Sequence, residues 1–152
     1  MLPWEHFILG LFPMIQLWNV YDPIFAMVFV AANVLIDVDH YLLVLYISKF
    51  KIWDLKRSYN FFLLKQDELY HIDAIFIFHT IEFLIIIFLI YWFTKYIYVL
   101  AVLFGLIYHI LWDYLEVIYF KIKHKKYKFK QISIVWFLLK KYYFKKRQST
   151  TK

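Results

Sequence analysis

The residues best equipped for chemistry lie inside the most apolar stretches of the chain. Asp37, Asp39 and His40 interrupt one such run, His79 and Glu82 a second, and His109, Asp113 and Glu116 a third. His6, beside Glu5, opens the first apolar stretch. A charge at the centre of a bilayer costs between ~3 and ~15 kcal/mol, depending on how it is assessed. No Lys or Arg lies deep in any of these runs to neutralise the acids. Such acids must be protonated, face a water-filled cavity or hold a cation. Asp and His together are a ligand set for a divalent metal. At about 100° per residue, His109, Asp113 and Glu116 form one helical stripe. Asn33, Asp37, His40 and Tyr41 share a face of another helix, while Asp39 falls about 160° from Asp37. A regular helix therefore cannot aim Asp37, Asp39 and His40 at one point. Either the helix is distorted there, or Asp39 orients a histidine from behind the ligands. His79 and Glu82 share the polar side of their run. A lone His in an aromatic-rich helix is ordinarily a hydrogen-bonded packing residue. Here four segments each place polar groups at similar heights, and that coincidence favours a site.

The elements that must position these residues follow from composition. The chain has 152 residues, enough for one domain, with 64% hydrophobic, 24% aromatic and 19% charged residues and a mean hydropathy of +0.59. That balance excludes disorder and an ordinary soluble enzyme. The absence of Cys excludes disulfides and thiolate sites, and two Gly exclude the common phosphate-binding loops. A spanning helix needs about 20 mainly apolar residues. Pro23–Ser48, Asp73–Phe93 and Tyr96–Phe120 qualify, and Trp4–Tyr21 is a shorter fourth that contains Pro13. The predicted fold is all-α: an integral membrane bundle of four transmembrane helices over residues 1–122, with a basic tail over 123–152. Nothing at the N-terminus has the basic start of a cleavable signal.

Charge placement orients the bundle. Lys49, Lys51, Lys56, Arg57 and Lys65 lie between the second and third spans, twelve Lys and Arg follow the fourth, and only Lys95 lies between the third and fourth. By the positive-inside rule the long loop and both termini are cytoplasmic, placing a multi-pass protein in the inner or plasma membrane. Counted at ~1.5 Å per residue, His40, Asp113 and His79 lie about 9–12 Å from the cytoplasmic ends of their spans, and His109 about 17 Å. In the tail, Ile132, Val135, Trp136, Leu139 and Tyr143 recur at helical spacing beside Lys140 and Lys141. An interfacial helix on anionic lipid headgroups fits this pattern, as does a helix capping the bundle mouth. The net charge of +7 is then a match for lipid, and no nucleic acid is expected. His71 and His124 read as interfacial. Trp92, Trp112 and Trp136 read as packing and interfacial residues.

The motifs occur in a familiar order. Glu5-His6-Phe7, Leu35-Ile36-Asp37-Val38-Asp39-His40, Phe78-His79-Thr80-Ile81-Glu82 and Gly105 to Asp113 with His109 in G-x-x-x-H-x-x-x-D follow one another over residues 5–113. The chain thus resembles the YdjM-like inner-membrane metal-dependent hydrolases of bacteria and archaea. Those proteins carry an early His, L-P-D-I-D-H, T-H-S and G-x-x-x-H-x-x-x-D. Ile36 stands where the family has Pro, and neither the Ser of T-H-S nor the basic stretch before it is present. The resemblance implies a helical membrane enzyme similar to zinc-dependent phospholipase C.

Three functions are in competition. In the first, a hydrolase, one or two divalent ions are held by Asp37, His40, His79, His109 and Asp113, with His6 as a further ligand. Zn is the expected metal, with Mn or Mg as alternatives. A carboxylate outside the ligand set, Asp39 or Glu82, serves as general base. The basic rim favours a phosphoester or lipid-like amphiphile reached from the cytoplasmic side. The second function is an ion or proton conduit. The third is a scaffold or adaptor with a structural metal site. A homo-oligomer is compatible with each.

Overall fold

The computed structural model describes residues 3–64, 76–124, 133–135, 138, 139 and 142. Among these residues the secondary structure is entirely helical. Helix α1 spans Pro3–Val20, starting on a proline whose missing N–H costs nothing in a first turn. Two residues later α2 begins at Pro23, and Asp22 caps it by accepting from the Phe25 N–H at 2.8 Å. So short a connection makes α1 and α2 antiparallel neighbours, and the two pack together.

Helix α2 ends at Leu35 and α3 runs Val38–Ile47. The second span of the sequence reading is therefore broken in its middle. Around the break the Asp37, Asp39 and His40 N–H groups donate to the carbonyls three residues back, at 3.3, 3.4 and 3.0 Å. Such tighter bonds turn the chain about 120° per residue, so residues three apart eclipse one another. Asp37 and His40, which a regular helix already places on one face, are brought closer into line by these bonds. Helix α3 stops in a left-handed turn at Lys49 and Phe50, with φ of 52° and 60°. The Phe50 N–H reaches back to the Leu45 carbonyl at 2.8 Å and the Lys49 N–H to Tyr46 at 3.1 Å, which closes the helix end. The segment read as a basic loop contains a helix, α4 (Leu55–Leu64), packed against α3. Asp54 accepts from the Arg57 N–H at its start.

The third predicted span is also not one helix. Its described part begins with a 3₁₀ turn, Ile77–His79, and α5 occupies only Ile81–Thr94. Thr80 divides the two, accepting from the Phe83 N–H at 3.4 Å and donating to the Ile77 carbonyl at 2.8 Å. Lys95, with φ of 53°, makes the tight turn into α6, Ile97–His124. Its ammonium lies 3.9 Å from the Trp92 ring centroid. Among the described residues, two segments are long and apolar enough to cross a membrane, Pro23–Ile47 and Ile97–Tyr119. Two meet that test, against the four expected. Most of the predicted tail helix, together with His71 and Lys65, lies outside the described residues.

Helix α2 is the centre of the assembly, lying against both α1 and α6, and α5 packs on α6. Phe25, Phe29, Val30 and Ala101 form the buried apolar cluster. Both glycines of the chain serve this packing. A Cβ on Gly105 would stand 2.5 Å from the Phe29 carbonyl oxygen and 2.9 Å from the Ala32 Cβ. One on Gly10 would stand 2.8 Å from the Asn33 side-chain nitrogen. These absent side chains let α1 and α6 close on the last turn of α2, next to the polar residues.

Candidate metal centre

Asn33 joins the three helices at that point. Its side-chain amide donates to the His6 carbonyl at 2.6 Å, tying α2 to α1. Its own carbonyl lies 2.6 Å from His109 Nδ1 on α6. A carbonyl only accepts, so Nδ1 of His109 carries the proton and Nε2 presents its lone pair. Asn33 was visible in the sequence only as one polar member of a helix face, and nothing in the spacing marked it as the clasp.

His79 is oriented in the same way from another direction. Asp39 Oδ2 accepts the Phe78 N–H at 2.7 Å and lies 3.2 Å from His79 Nδ1. The carboxylate holds the proton on Nδ1 and leaves Nε2 of His79 with its lone pair. Of the two sequence options for Asp39, the structure contains both: the helix is broken, and Asp39 sits behind a histidine. The 3₁₀ turn also has its purpose here, because it brings the Phe78 N–H and the His79 ring to one carboxylate.

The two prepared nitrogens meet. His79 Nε2 and His109 Nε2 are 3.2 Å apart. Asp37 Oδ1 lies 3.5 Å from His109 Nε2 and 4.0 Å from His79 Nε2, and Asp113 Oδ2 lies 3.8 Å from each. His40 Nδ1 is 3.3 Å from Asp37 Oδ1, and its ring stacks on Phe76. His6 Nε2 is 3.3 Å from Asp113 Oδ1, with its ring stacked on His109 at 3.6 Å between centroids. Six candidate ligands from α1, the α2–α3 break, the 3₁₀ turn and α6 therefore converge. Asp37, Asp113, His6, His79 and His109 are buried, and His40 is the most open, with its side chain 14% exposed.

Lone pairs and carboxylates that face one another repel unless a proton or a cation lies among them. Ligand atoms ~2.1 Å from one tetrahedral ion stand ~3.4 Å apart. The contacts here, from 3.2 to 4.0 Å, are of that size. The buried His/Asp cluster can hold a metal ion: His6–Asp37–His109, Asp37–His40–His79 and His79–His109–Asp113 each bring three donor atoms within 4.8 Å of one another.

Glu82 is elsewhere. Its carboxylate accepts from the Ser133 hydroxyl at 2.5 Å and from the Ile134 and Val135 N–H groups at 3.1 and 3.2 Å. It caps a tail segment and belongs to none of the donor groups; α5 begins only after His79, so the two residues do not share one helix. Glu116 likewise belongs to none of the three donor groups.

A comparison of the chain with protein-family models, curated proteins and solved structures finds no match. The functional reading therefore rests on the geometry.

Proposed function

We propose that the protein is a membrane-embedded, metal-dependent hydrolase acting on a phosphoester or lipid-like amphiphile from the cytoplasmic side. The observation that carries this reading is the pair of Nε2 lone pairs, each set by a partner behind it, aimed at each other between Asp37 and Asp113. A donor set rich in imidazole suits Zn, and Mn is the alternative that the carboxylates also suit. A divalent cation supplies Lewis acidity there, making a nearby water nucleophilic near neutral pH and polarising a phosphoryl or carbonyl oxygen. The chain's own contribution is orientation: Asp39 sets His79, Asn33 sets His109, and the packed helices exclude bulk water. Access is by way of His40, the most exposed member of the set. Asp39 is a positioning residue in this scheme, since its Oδ2 is committed to the Phe78 N–H and His79.

The bilayer placement is supported by an inverted distribution of polarity. Residues such as Phe12, Ile15, Leu64, Phe93 and Ile122 are exposed while His6, Asn33, Asp39, His109 and Asp113 are buried. Large apolar side chains exposed over polar ones buried are what a lipid surrounding, and not water, favours. A four-pass arrangement with the cluster near the cytoplasmic face agrees with the positions of Lys49 to Arg57 and the tail lysines.

The test is elemental analysis of detergent-purified protein before and after chelation, with melting temperature measured with and without added Zn²⁺ or Mn²⁺. His109→Ala and Asp113→Ala, singly and together, should each lower bound metal steeply, with losses that do not add in the double variant. Metal-free wild-type protein whose melting temperature ignores both ions would end the hydrolase reading.

A further inference from the structure

Six ligands are more than one buried tetrahedral ion requires, and their arrangement has two ends. His40 and His6 belong to different donor groups, and no group contains both. Donors on opposite sides of one ion with ~2.1 Å bonds stand at most ~4.2 Å apart. The cluster extends beyond one such sphere. We propose that the site holds two divalent cations, one on His40 and His79, the other on His6 and His109, with Asp37 and Asp113 between them. This inference rests on the metal-dependent reading above and adds the number of ions and their division.

Each half pairs two histidines with carboxylate oxygens. His40 Nδ1 lies 3.3 Å from Asp37 Oδ1, and His79 Nε2 lies 4.0 Å from the same oxygen. In the other half His6 Nε2 is 3.3 Å from Asp113 Oδ1, and His109 Nε2 is 3.8 Å from Asp113 Oδ2. Each half also contains one histidine fixed by a partner behind it, Asp39 for His79 and the Asn33 carbonyl for His109. The carboxylates link the halves. Asp37 belongs both to the His40–His79 group and to the His6–His109 group, and Asp37 Oδ1 is 3.5 Å from His109 Nε2. Asp113 turns Oδ1 to His6 and Oδ2 to His79 and His109, so its two oxygens face different histidines.

His6 supplies the second, independent observation. Its side chain is fully buried, and among the described residues neither of its ring nitrogens makes a hydrogen bond. A buried imidazole without a hydrogen-bond partner is costly, and the contact of Nε2 with Asp113 has the length of a ligand pair. A single ion centred on His79 and His109 leaves the ring nitrogens of His6 without a hydrogen-bond partner or a metal among the described residues. A second ion supplies the metal. Pairs of ions ~3.5–4 Å apart clamp both the attacking and the leaving oxygen of a displacement, which is the chemistry a phosphoester requires.

The test uses the full-length protein in detergent, loaded with Mn²⁺. Metal per chain and the electron paramagnetic resonance spectrum are measured together. The expected result is two Mn²⁺ per chain with the spectrum of an exchange-coupled pair, in which the isolated-ion six-line pattern is lost. His40→Gln and His6→Gln, each checked for helicity and monodispersity, should lower the content from two ions to one and restore the six-line pattern. One Mn²⁺ per chain with an uncoupled spectrum in the wild-type protein overturns the two-ion proposal while leaving the metal-dependent reading intact. No bound Mn²⁺ or Zn²⁺ at all overturns both. Because the wild-type spectrum decides by itself, a variant that fails to fold does not protect the proposal.

Discussion

Asp39 and Asn33 show how much of a candidate site lies in residues that touch no ion. Asp39 stabilises one histidine tautomer with a carboxylate and Asn33 another with a backbone carbonyl, so only Asp39 can be altered by simple substitution. Asp39→Asn keeps an oxygen for the Phe78 N–H but removes the charge that holds the proton on His79 Nδ1. The expected cost is ~10–100-fold in metal affinity, the usual effect of removing a partner behind a ligating histidine, measured by competition with a chromophoric chelator. Asp113→Asn should cost far more. Equal losses in the two variants would mean that Asp39 is itself a ligand. At this scale the sequence was most legible. Asp and His inside apolar runs are conspicuous because their burial is expensive, and the six candidate ligands identified that way are gathered in one place. The donor and tautomer relations were not legible, since they depend on which backbone groups face each ring.

Elements were legible where composition changes abruptly and hidden where it does not. The starts of α1 and α2 are marked by Pro3, Asp22 and Pro23, and α6 follows a long apolar run. The break at Ile36 and Asp37 carries no Gly or Pro, so only the spacing of Asp37, Asp39 and His40, which a regular helix cannot aim at one point, hints at it. It is stabilised by what Asp39 and His79 do together across forty residues. Helix α4 was obscured by its charges, which read as a solvated loop. Helix α5 is apolar on every side, so periodicity could not show that it begins only after Thr80. The packing that supports the break rests on Gly105. In Gly105→Ala, the Cβ 2.5 Å from the Phe29 carbonyl oxygen must push α2 from α6. Overpacking of this kind costs about 1–3 kcal/mol, and thermal unfolding should show it together with weaker metal binding, because Asn33 lies at the same contact. Glu82 makes the opposite prediction. In Glu82→Ala the carboxylate that accepts from Ile134 and Val135 is lost, so the exchange of those two amides should accelerate, read by hydrogen exchange. Bound metal should be unchanged. A fall in metal content instead would place Glu82 in the site after all.

At the scale of the whole molecule, the described residues bury polar side chains at the candidate site and expose many apolar ones, and that arrangement connects the site to its surroundings. His6 lies in the first turns of α1, Asp37 just past the end of α2, His79 just before α5, and Asp113 eleven residues before the end of α6. Short connections at Tyr21–Asp22 and Lys95–Tyr96 join the opposite ends of the same helices. In an antiparallel arrangement all four sets of polar residues then fall at one end of the bundle, and the Lys95 turn falls at the other. The basic segment from Lys49 to Arg57 follows α3 on the side of the polar end. If the positive-inside rule governs this chain, that end faces the cytoplasm, and an anionic amphiphile would meet positive charge before the His/Asp cluster. Reporter fusions at Asn60 and Lys152 should therefore report a cytoplasmic location, and a fusion at Lys95 the opposite face. The comparison is informative because α5 is only 14 residues long, which at ~1.5 Å per residue is about 21 Å against a hydrocarbon core of ~30 Å. A span here must include residues before Thr80 or a locally thinned bilayer. A cytoplasmic signal at Lys95 would mean that α5 and α6 enter and leave from the same face. The four-pass arrangement would then fail, and with it the placement of the site at the cytoplasmic face.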